Sequence, residues 1–390
     1  MLMVPLLDQG GLERICAMTA KLLTPHCHLT LVVFSTKGMI YDVDGVDMID
    51  LNLGSVPGKV GKAVNLCKRI RAIKKIKRER NIEITYSFGP TANLANVFTR
   101  VKNAKVNHEQ ITDKIWVGIR GYGALEDKYD MTLFCKRADK VVCCSQIMAD
   151  DVKTQFGAKD VVCVYNPCDV ESIRRLAKEP LTADSQKFFD TGAPVVAAMG
   201  REHDVKGFWH LIKAFALAKK KIPALKLMIV GEGTFAEYRK LAEDLQVEQD
   251  VWFTGVQKNP FAYLKQASLF VMTSVSEGFP NSLIEAMAVG LPAMSVNCKT
   301  GPAEIFLDDY RKGGDEHTVI EGEYGVLLPV IRPEKNLDAS VLEKEEEIMA
   351  EQMVRVLTEP EKLAERKAAS LKRAEDFSVQ AYTDSLLRMI

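Results

Sequence analysis

Short apolar runs alternate with helical patterns along the whole chain. The runs are three to six residues long and carry few charges, which is typical of strands covered on both faces of a parallel sheet. Helical segments between them favour an α/β architecture. Strands are predicted at 1–5, 29–34, 48–51, 82–87, 140–144, 161–165, 195–199, 225–230, 251–254, 269–272, 293–296 and 326–328.

About a dozen strands exceed the usual width of one twisted sheet, and 390 residues are many for one core. We therefore expect two doubly wound domains. Residues 180–194 are polar and hold two prolines and a glycine, which indicates a linker. The predicted domains are 1–180 and 181–372, followed by a helical segment at 373–390. Charged surface helices are predicted at 343–353 and 361–374, and an amphipathic last helix at 382–390.

Composition narrows the class of protein. A chain with 47% hydrophobic and 27% charged residues can bury a core and is not a disordered chain. A formal net charge of zero argues against nucleic acid as a partner. The charge is uneven, however, because residues 1–180 carry a net +7 and the remainder −7. We expect the two domains to meet different partners.

The cysteine spacing and the length of the apolar runs indicate the cellular compartment of the protein. The nine cysteines are scattered without a CxxC pair, which fits neither a zinc site nor a disulfide framework. Without a signal peptide, this pattern predicts a reducing cytoplasm. No apolar run approaches the ~20 residues that a membrane span needs.

The segment 276–290, SEGFPNSLIEAMAVG, is the strongest local motif. It places the carboxylates of Glu277 and Glu285 on a loop and an early helical turn, directly after a predicted strand. The N–H groups of Ser282 and Leu283 would then face a phosphate at a helix N-terminus, and Glu285 would accept hydrogen bonds from sugar hydroxyls. The competing interpretation is a capping box, in which Ser282 and Glu285 only begin a helix.

A second loop, GREHDVKG, follows the strand at 195–199. Arg201 offers a planar fork of donors and Lys206 a compact positive charge, a pairing that suits a diphosphate. The alternative is that both are solvated surface charges.

Three glycine turns also follow predicted strands: Gly10-Gly11, Gly231-Glu232-Gly233 and Thr254-Gly255-Val256. Such turns let backbone approach a ligand closely, with Val256 at the edge of a nucleobase. Each is equally explained as a plain strand-to-helix turn. The chain lacks G-x-G-x-x-G, so the dinucleotide fingerprint is not met.

His108 lies near the end of a predicted strand, on the side where ligands bind, and is a candidate for the site. The other five histidines are scattered and form no set with acidic residues at metal-ligand spacing. We therefore expect no metal ion.

Residues 62–80 hold nine Lys and Arg and one Glu. Five apolar side chains fall on one face of the predicted helix: Ala63, Leu66, Ile70, Ile73 and Ile76. Basic amphipathic helices lie on anionic membrane surfaces, although many pack on a core with a solvated basic face. Contact with the inner membrane surface through residues 62–80 is thus one prediction.

Taken together, these motifs resemble glycosyltransferase family 4, the retaining glycosyltransferases of the GT-B fold. The resemblance rests on Gly10 to Arg14, Gly200-Arg201 with Lys206-Gly207, Gly231 to Gly233, and Glu277-Gly278-Phe279-Pro280 through Glu285 to Ala288. The tail Cys298 to Ile305 is similar to members that build bacterial surface polysaccharides. The run Tyr165 to Asp169 looks like the link between the domains of this family.

The resemblance implies two Rossmann-like domains facing across a cleft, the first binding an acceptor and the second a nucleotide sugar. It also implies that the C-terminal helix at 373–390 packs back on the first domain. By position, Arg201 and Lys206 would hold the diphosphate in place of a metal ion, and Glu277 would contact the transferred sugar. Glu285 would bind the ribose. Further contacts to the donor would come from Gly11, Gly231, Val256, Gly278, Phe279, Asn281, Ser282 and Leu283, with His108 beside the reacting sugar.

These implications lead to a hypothesis of function. We expect a retaining transferase that moves a hexose or N-acetylhexosamine from a UDP-linked donor, without cofactor, to a lipid-linked or polysaccharide acceptor at the inner membrane face. Alternatives in the same fold are a transferase with a soluble acceptor and an epimerase. A Rossmann oxidoreductase and a non-catalytic scaffold are further alternatives. One departure from the family pattern is Glu202, where an apolar residue is common.

Overall fold

The computed structural model describes residues 1–8, 10–106, 109–314 and 316–390, with side chains outside 103–111. The described chain divides into two compact units. Unit 1 comprises Met1–Asn166 and Tyr382–Ile390, and unit 2 comprises Pro167–Ala381.

Unit 1 is built on a seven-stranded sheet in which every neighbouring pair is parallel. Its order is β3-β2-β1-β4-β7-β8-β9, and β5 and β6 form a separate antiparallel pair. The strands are β1 Leu2–Val4, β2 Thr30–Val33, β3 Asp47–Asp50, β4 Ile84–Phe88, β5 Lys102–Val106, β6 Glu109–Thr112, β7 Lys114–Ile119, β8 Lys140–Cys143 and β9 Val161–Cys163. The helices are α1 Gly11–Leu23, α2 Lys59–Glu79, α3 Pro90–Asn96, α4 Lys128–Arg137 and α5 Gln146–Phe156, with a 3₁₀ turn at Tyr122–Glu126.

Unit 2 has a second seven-stranded sheet, of order β12-β11-β10-β13-β14-β16-β15, parallel except for β15. Its strands are β10 Val195–Met199, β11 Lys226–Val230, β12 Val251–Gly255, β13 Leu269–Met272, β14 Ala293–Val296, β15 Ile320–Glu321 and β16 Val326–Leu328. Its helices are α6 Val170–Leu176, α7 Ala183–Gln186, α8 Phe208–Lys219, α9 Ala236–Asp244, α10 Pro260–Leu264, α11 Asn281–Ala288, α12 Pro302–Phe306, α13 Lys344–Thr358 and α14 Pro360–Glu375. Short 3₁₀ turns lie at Asp204–Lys206, Glu248–Asp250 and Tyr310–Gly313, and α15 is Val379–Leu387.

The predicted α/β fold with two parallel sheets is confirmed. The strands at 195–199, 269–272, 293–296 and 326–328 match the structure residue for residue, because each is a short, almost wholly apolar run; Ser295 is the one polar residue among them. The prediction omitted β7, although five of its six residues are buried. Gly118 interrupts that run, and a glycine inside a strand weakens the sequence signal.

The boundary between the units differs from the prediction. The sequence placed it at residue 180, whereas the structure assigns 167–180 to unit 2. Arg174 on α6 explains this assignment, because its guanidinium donates to the carbonyls of Ala288 and Leu371 within unit 2. The C-terminal segment that belongs to unit 1 begins at Tyr382, later than the predicted residue 373. Tyr382 belongs to unit 1, where its hydroxyl lies 2.6 Å from that of Thr19.

Helix α2 packs most of its predicted apolar face on the core, since Ile73 is buried and Leu66 and Ile76 pack beside it, whereas Ala63 is exposed. The buried residues also include three polar ones that the pattern did not predict: Asn65, Arg69 and Lys77. The Arg69 guanidinium donates to the Leu53 carbonyl at 2.6 and 2.9 Å. Two of the basic residues are therefore structural, and the outer face carries the others.

Lys77 is fully buried and forms an ion pair with Asp113, 2.7 Å away and also fully buried. Burial lowers the pKa of Lys77 to about 8, while the Asp113 carboxylate opposes that shift. A second Asp113 oxygen accepts from the Val101 N–H at 2.6 Å. The pair thus ties α2 to the segment that enters β7.

Among the helices of the described part of the chain, none combines the length and the apolar character needed to cross a bilayer.

Replacement of Lys77 tests this internal ion pair. We expect Lys77→Ala to lower the free energy of unfolding of unit 1 by about 3–5 kcal/mol, because Asp113 is left as an unpaired buried charge. Urea unfolding can be followed by Trp116 fluorescence after Trp209 and Trp252 are changed to Phe.

The matched control is Lys75→Ala, which breaks an exposed pair with Glu79 and should cost less than about 1 kcal/mol. Equal losses in the two variants would contradict a structural role for Lys77.

Candidate functional site

The chain reverses direction across the sheet of unit 2 between two central strands. From β10 it proceeds outward to β11 and β12, then returns to β13 on the other side of β10. Ligands of open α/β sheets bind beyond the carboxyl ends of the strands at such a switch point. The loops at this edge are 200–207, 231–235, 256–259, 273–280 and 297–301.

Lys206 and Glu277 meet at this edge. The Lys206 Nζ lies 2.6 Å from Glu277 Oε1, and the two side chains are 20% and 14% exposed. The Thr273 hydroxyl donates to the Lys206 carbonyl at 2.8 Å, and the Val275 N–H donates to the Val205 carbonyl at 2.9 Å. The loops after β10 and β13 are therefore bound to each other, and two predicted site residues come together.

Arg201 lies in the same loop and is exposed. Within the part of the chain that the structure describes, its guanidinium makes no hydrogen bond or ion pair. A planar cation without an internal partner, five residues before Lys206, can bind an anion at this edge.

Gly231 lies where the loops after β10 and β11 touch. A Cβ at this position would be 1.8 Å from the Gly200 carbonyl oxygen, so no larger residue fits without moving the backbone. The predicted close approach at Gly231 is thus explained first by the packing of one loop on another. Val256, after β12, is 67% exposed at the same edge.

The segment 276–290 folds as a loop into α11, but the capping box is wrong. Helix α11 begins at Asn281 after Pro280, without a side-chain cap, so Ser282 lies inside the first turn. The Leu283 N–H donates to the Pro280 carbonyl at 3.1 Å, which contradicts a free amide there. Ser282 is the second helical residue, where an N–H has no acceptor within the helix.

The other predicted residues of this segment have distinct surroundings. Glu285 is buried one turn into α11. Phe279 is also buried, with its ring 5.4 Å from that of Phe377, which makes it a packing residue. Gly278 is half-buried beside Glu277.

Thr300 is a site residue that the sequence did not indicate. Its buried hydroxyl donates to the Glu277 carbonyl oxygen, which fixes the backbone of the paired carboxylate. Cys298 lies in the same loop, where burial raises the pKa of its thiol and the Glu277 carboxylate raises it further. The sequence signals for this loop were its position, directly after β14, and the resemblance of the segment Cys298 to Ile305.

Gly11 is the exposed first residue of α1 in unit 1, with open space around it. His108 lies outside the described residues.

The structure brings together one group that resembles a metal-ligand set, although the scattered histidines predicted none. Ligand atoms of His210, Glu343 and Glu346 lie within 4.8 Å of one another. The His210 Nδ1 is 2.7 Å from Glu346 Oε1, and its Nε2 is 3.0 Å from the Arg332 carbonyl. The ammonium of Lys213 is 4.0 Å from the same Glu346 oxygen. Since both ring nitrogens are engaged and a cation is already present, we interpret this group as an internal polar network.

Part of the chain is similar to a known protein family. Residues 182–329 match the family described as glycosyl transferases group 1. This range includes β10, β13 and α11, and therefore the loops that carry Arg201, Lys206 and Glu277.

Two curated proteins are similar in sequence. An uncharacterized glycosyltransferase of Methanocaldococcus jannaschii is 32% identical over 253 residues, 63% of this chain and 62% of that protein. N-acetylgalactosamine-N,N'-diacetylbacillosaminyl-diphospho-undecaprenol 4-alpha-N-acetylgalactosaminyltransferase of Campylobacter jejuni is 28% identical over 332 residues, 83% of this chain and 84% of that protein.

A solved structure is similar in fold. Anabaena HepE, crystallised in complex with UDP and glucose, superimposes with a TM-score of 0.71 at 16% identity. The match covers 100% of this chain and 99% of HepE. At this identity it shows the two-domain GT-B fold and no more.

Proposed function

We propose that the chain is a retaining glycosyltransferase, because residues 182–329 match the family described as glycosyl transferases group 1. It moves a hexose or N-acetylhexosamine from a UDP-linked donor to a lipid-linked or polysaccharide acceptor. The observation that carries the proposal is the Lys206–Glu277 pair at the switch point of the second sheet, with Arg201 in the same loop.

The cations act on the leaving group. When the bond between the sugar and the diphosphate breaks, negative charge accumulates on phosphate oxygens. Fixed positive groups aimed at that charge lower the barrier, since they need no reorganisation during the reaction. Arg201 contributes a fork of donors and Lys206 a point charge. We propose that these two residues bind the diphosphate without a metal ion.

The carboxylates act on the two sugars of the donor. Glu277 accepts hydrogen bonds from hydroxyls of the transferred sugar, and Glu285 accepts them from the ribose. Glu277 also competes with the diphosphate for Lys206, because its carboxylate lies 2.6 Å from the ammonium group. Donor binding therefore exchanges one anionic partner of Lys206 for another, or makes Lys206 bridge both.

We assign retention of configuration to attack by the acceptor hydroxyl on the face of the sugar from which the leaving group departs. In this mechanism a leaving phosphate oxygen takes the proton of the acceptor hydroxyl. The sugar carries positive charge in the transition state, as in glycoside hydrolysis, and the departing diphosphate stabilises it. His108 is assigned a place beside this sugar and Gly11 a place beside the diphosphate.

The choice of substrates is supported by two relatives. The HepE structure contains UDP, and the name of the Campylobacter enzyme specifies an undecaprenol-linked acceptor. By analogy, we assign a UDP sugar and a lipid-linked glycan to this chain.

A lipid-linked acceptor requires access to a membrane surface, and α2 of unit 1 suits that task. Its outer face exposes Lys68, Arg71 and Lys75. Two apolar residues near its start, Val60 and Val64, are 79% and 50% exposed. Cations beside exposed apolar side chains are typical of a helix that lies on anionic lipid. We assign peripheral contact with the inner membrane surface to this face.

Thermal unfolding with a ligand panel tests the donor site. UDP, GDP, ADP and their common sugar conjugates would be compared, and a ligand at 100 times its Kd should stabilise the protein by about 2.7 kcal/mol. We expect UDP and one or more UDP sugars to act, and Arg201→Ala to abolish most of the shift because a diphosphate contact is lost.

Arg175→Ala removes an exposed arginine from α6 and is the matched control, which should keep the full shift. A protein that responds to no nucleotide would overturn the proposal and favour a non-catalytic scaffold.

Vesicle co-sedimentation tests the membrane face. Lys68→Gln with Arg71→Gln should weaken binding to anionic vesicles by about 2 kcal/mol, roughly 30-fold, since each cation near the surface contributes about 1 kcal/mol. Neutral vesicles should bind weakly in every case.

The control removes two exposed lysines of α14, Lys367→Gln with Lys372→Gln, at the same change in net charge. Equal losses of vesicle binding in both double variants would show that binding depends on net charge alone, and would exclude α2 as the docking face.

A further inference from the structure

Glu202 follows Arg201 in the loop after β10, and the proposed transfer gives it no role. An acidic side chain next to a site for an anion is unfavourable unless it serves another purpose. Its side chain is half-buried, which indicates that it contacts protein.

The carboxylate of Glu202 binds the neighbouring loop. Its Oε2 accepts from the Phe235 N–H at 2.8 Å and from the Thr234 hydroxyl at 3.3 Å. The Glu202 N–H donates to the Glu232 carbonyl at 2.6 Å. Glu202 therefore joins the loop at 200–207 to the turn at 231–235 through both its backbone and its side chain.

These bonds continue the sheet beyond its strands. The Gly200 N–H donates to the Val230 carbonyl, and the Gly231 N–H donates to the Gly255 carbonyl. The Glu202 carboxylate extends this series of hydrogen bonds to Phe235, the residue that precedes α9. Helix α9 has no side-chain cap from its own N-terminus, so this carboxylate from another loop caps it.

Phe235 holds a conformation that needs support. Its φ is +53°, a left-handed value that is costly for a residue with a side chain. Its ring is fully buried and stacks on Phe253 at 5.0 Å and 27°. The core fixes the Phe235 ring, and the Glu202 carboxylate fixes the Phe235 N–H, so the turn at 231–235 is held in one conformation.

The two loops also touch directly. A Cβ at Gly233 would lie 2.3 Å from the Glu202 Cβ. The stem of Glu202 thus packs on the backbone of the turn without a gap. The distance between Arg201 and the backbone at 231–233 is set by these contacts.

We infer that Glu202 is a positioning residue of the nucleotide site. Its carboxylate ties the loop that carries Arg201 to the turn at 231–235, so that both loops present one preformed surface to a nucleoside diphosphate. This inference rests on the proposed function for the identity of the ligand. It requires the hydrogen-bond acceptor of Glu202 and not its negative charge.

Calorimetric titration of the full chain with UDP separates these roles. Glu202→Leu keeps the size of the side chain and loses the acceptor, and we expect about tenfold weaker UDP binding because the Phe235 N–H is left without its partner. Glu202→Gln keeps a carbonyl acceptor without the charge and should bind UDP within about threefold of the unchanged protein. Glu243→Leu, at an exposed site on α9, should have no effect.

Kinetics add a readout that a general loss of stability would not give. With a UDP sugar as donor, Glu202→Leu should raise the donor KM about tenfold and leave kcat at saturating donor and the acceptor KM unchanged. Rescue of the donor KM by Glu202→Gln is expected.

Three results would overturn the inference: unchanged UDP affinity in Glu202→Leu, equal weakening in Glu202→Gln, or tighter binding in Glu202→Gln, which would indicate charge repulsion. A protein that does not bind UDP would instead contradict the proposed function. In that case, amide hydrogen exchange without ligand tests whether Glu202 holds the turn, independently of nucleotide binding. The Phe235 amide should exchange faster in Glu202→Leu than in Glu202→Gln, and equal rates would exclude the tether.

Discussion

The ion pair between Lys206 and Glu277 is the interaction on which the site depends. Both side chains are mostly removed from water, so each charge loses hydration that only a close opposite charge replaces. The geometry therefore has to be held by the surrounding backbone. Thr273 binds the carbonyl of Lys206, and Thr300 binds the carbonyl of Glu277. These contacts require β10, β13 and β14 to be adjacent, which the parallel sheet provides.

Under the proposed function, this pair would let one site bind an anionic donor and still release an anionic product. Without a ligand, Lys206 already has an anion beside it, so the site carries less free positive charge than its basic residues suggest. A diphosphate has to compete with Glu277, whereas Arg201 is available to it throughout. In the proposed mechanism, a sugar bound to Glu277 would relieve that competition, so a complete donor would bind more tightly than the bare diphosphate.

The sequence allowed the fold and part of the site to be predicted, for physical reasons that particular residues illustrate. Strands β10, β13 and β14 were found because buried parallel strands are continuous apolar runs. Lys206 and Glu277 were found because their loops follow those strands. Residues whose side chains bind backbone groups of another loop, such as Thr300 and Glu202, have no periodic or spacing signal. Likewise, α2 was oriented by its apolar residues, and no pattern shows that Lys77 is buried against Asp113.

The most direct test of the site is the affinity for UDP, together with transfer from a UDP sugar, in Lys206→Met and Glu277→Gln. We expect Lys206→Met to lose UDP binding, because a phosphate contact disappears. Glu277→Gln should bind UDP as tightly as the unchanged protein or more tightly, because Lys206 no longer has a competing anion, and should lose transfer. Unchanged UDP binding and transfer in both variants would show that the pair at the edge of the second sheet is not the site of sugar transfer.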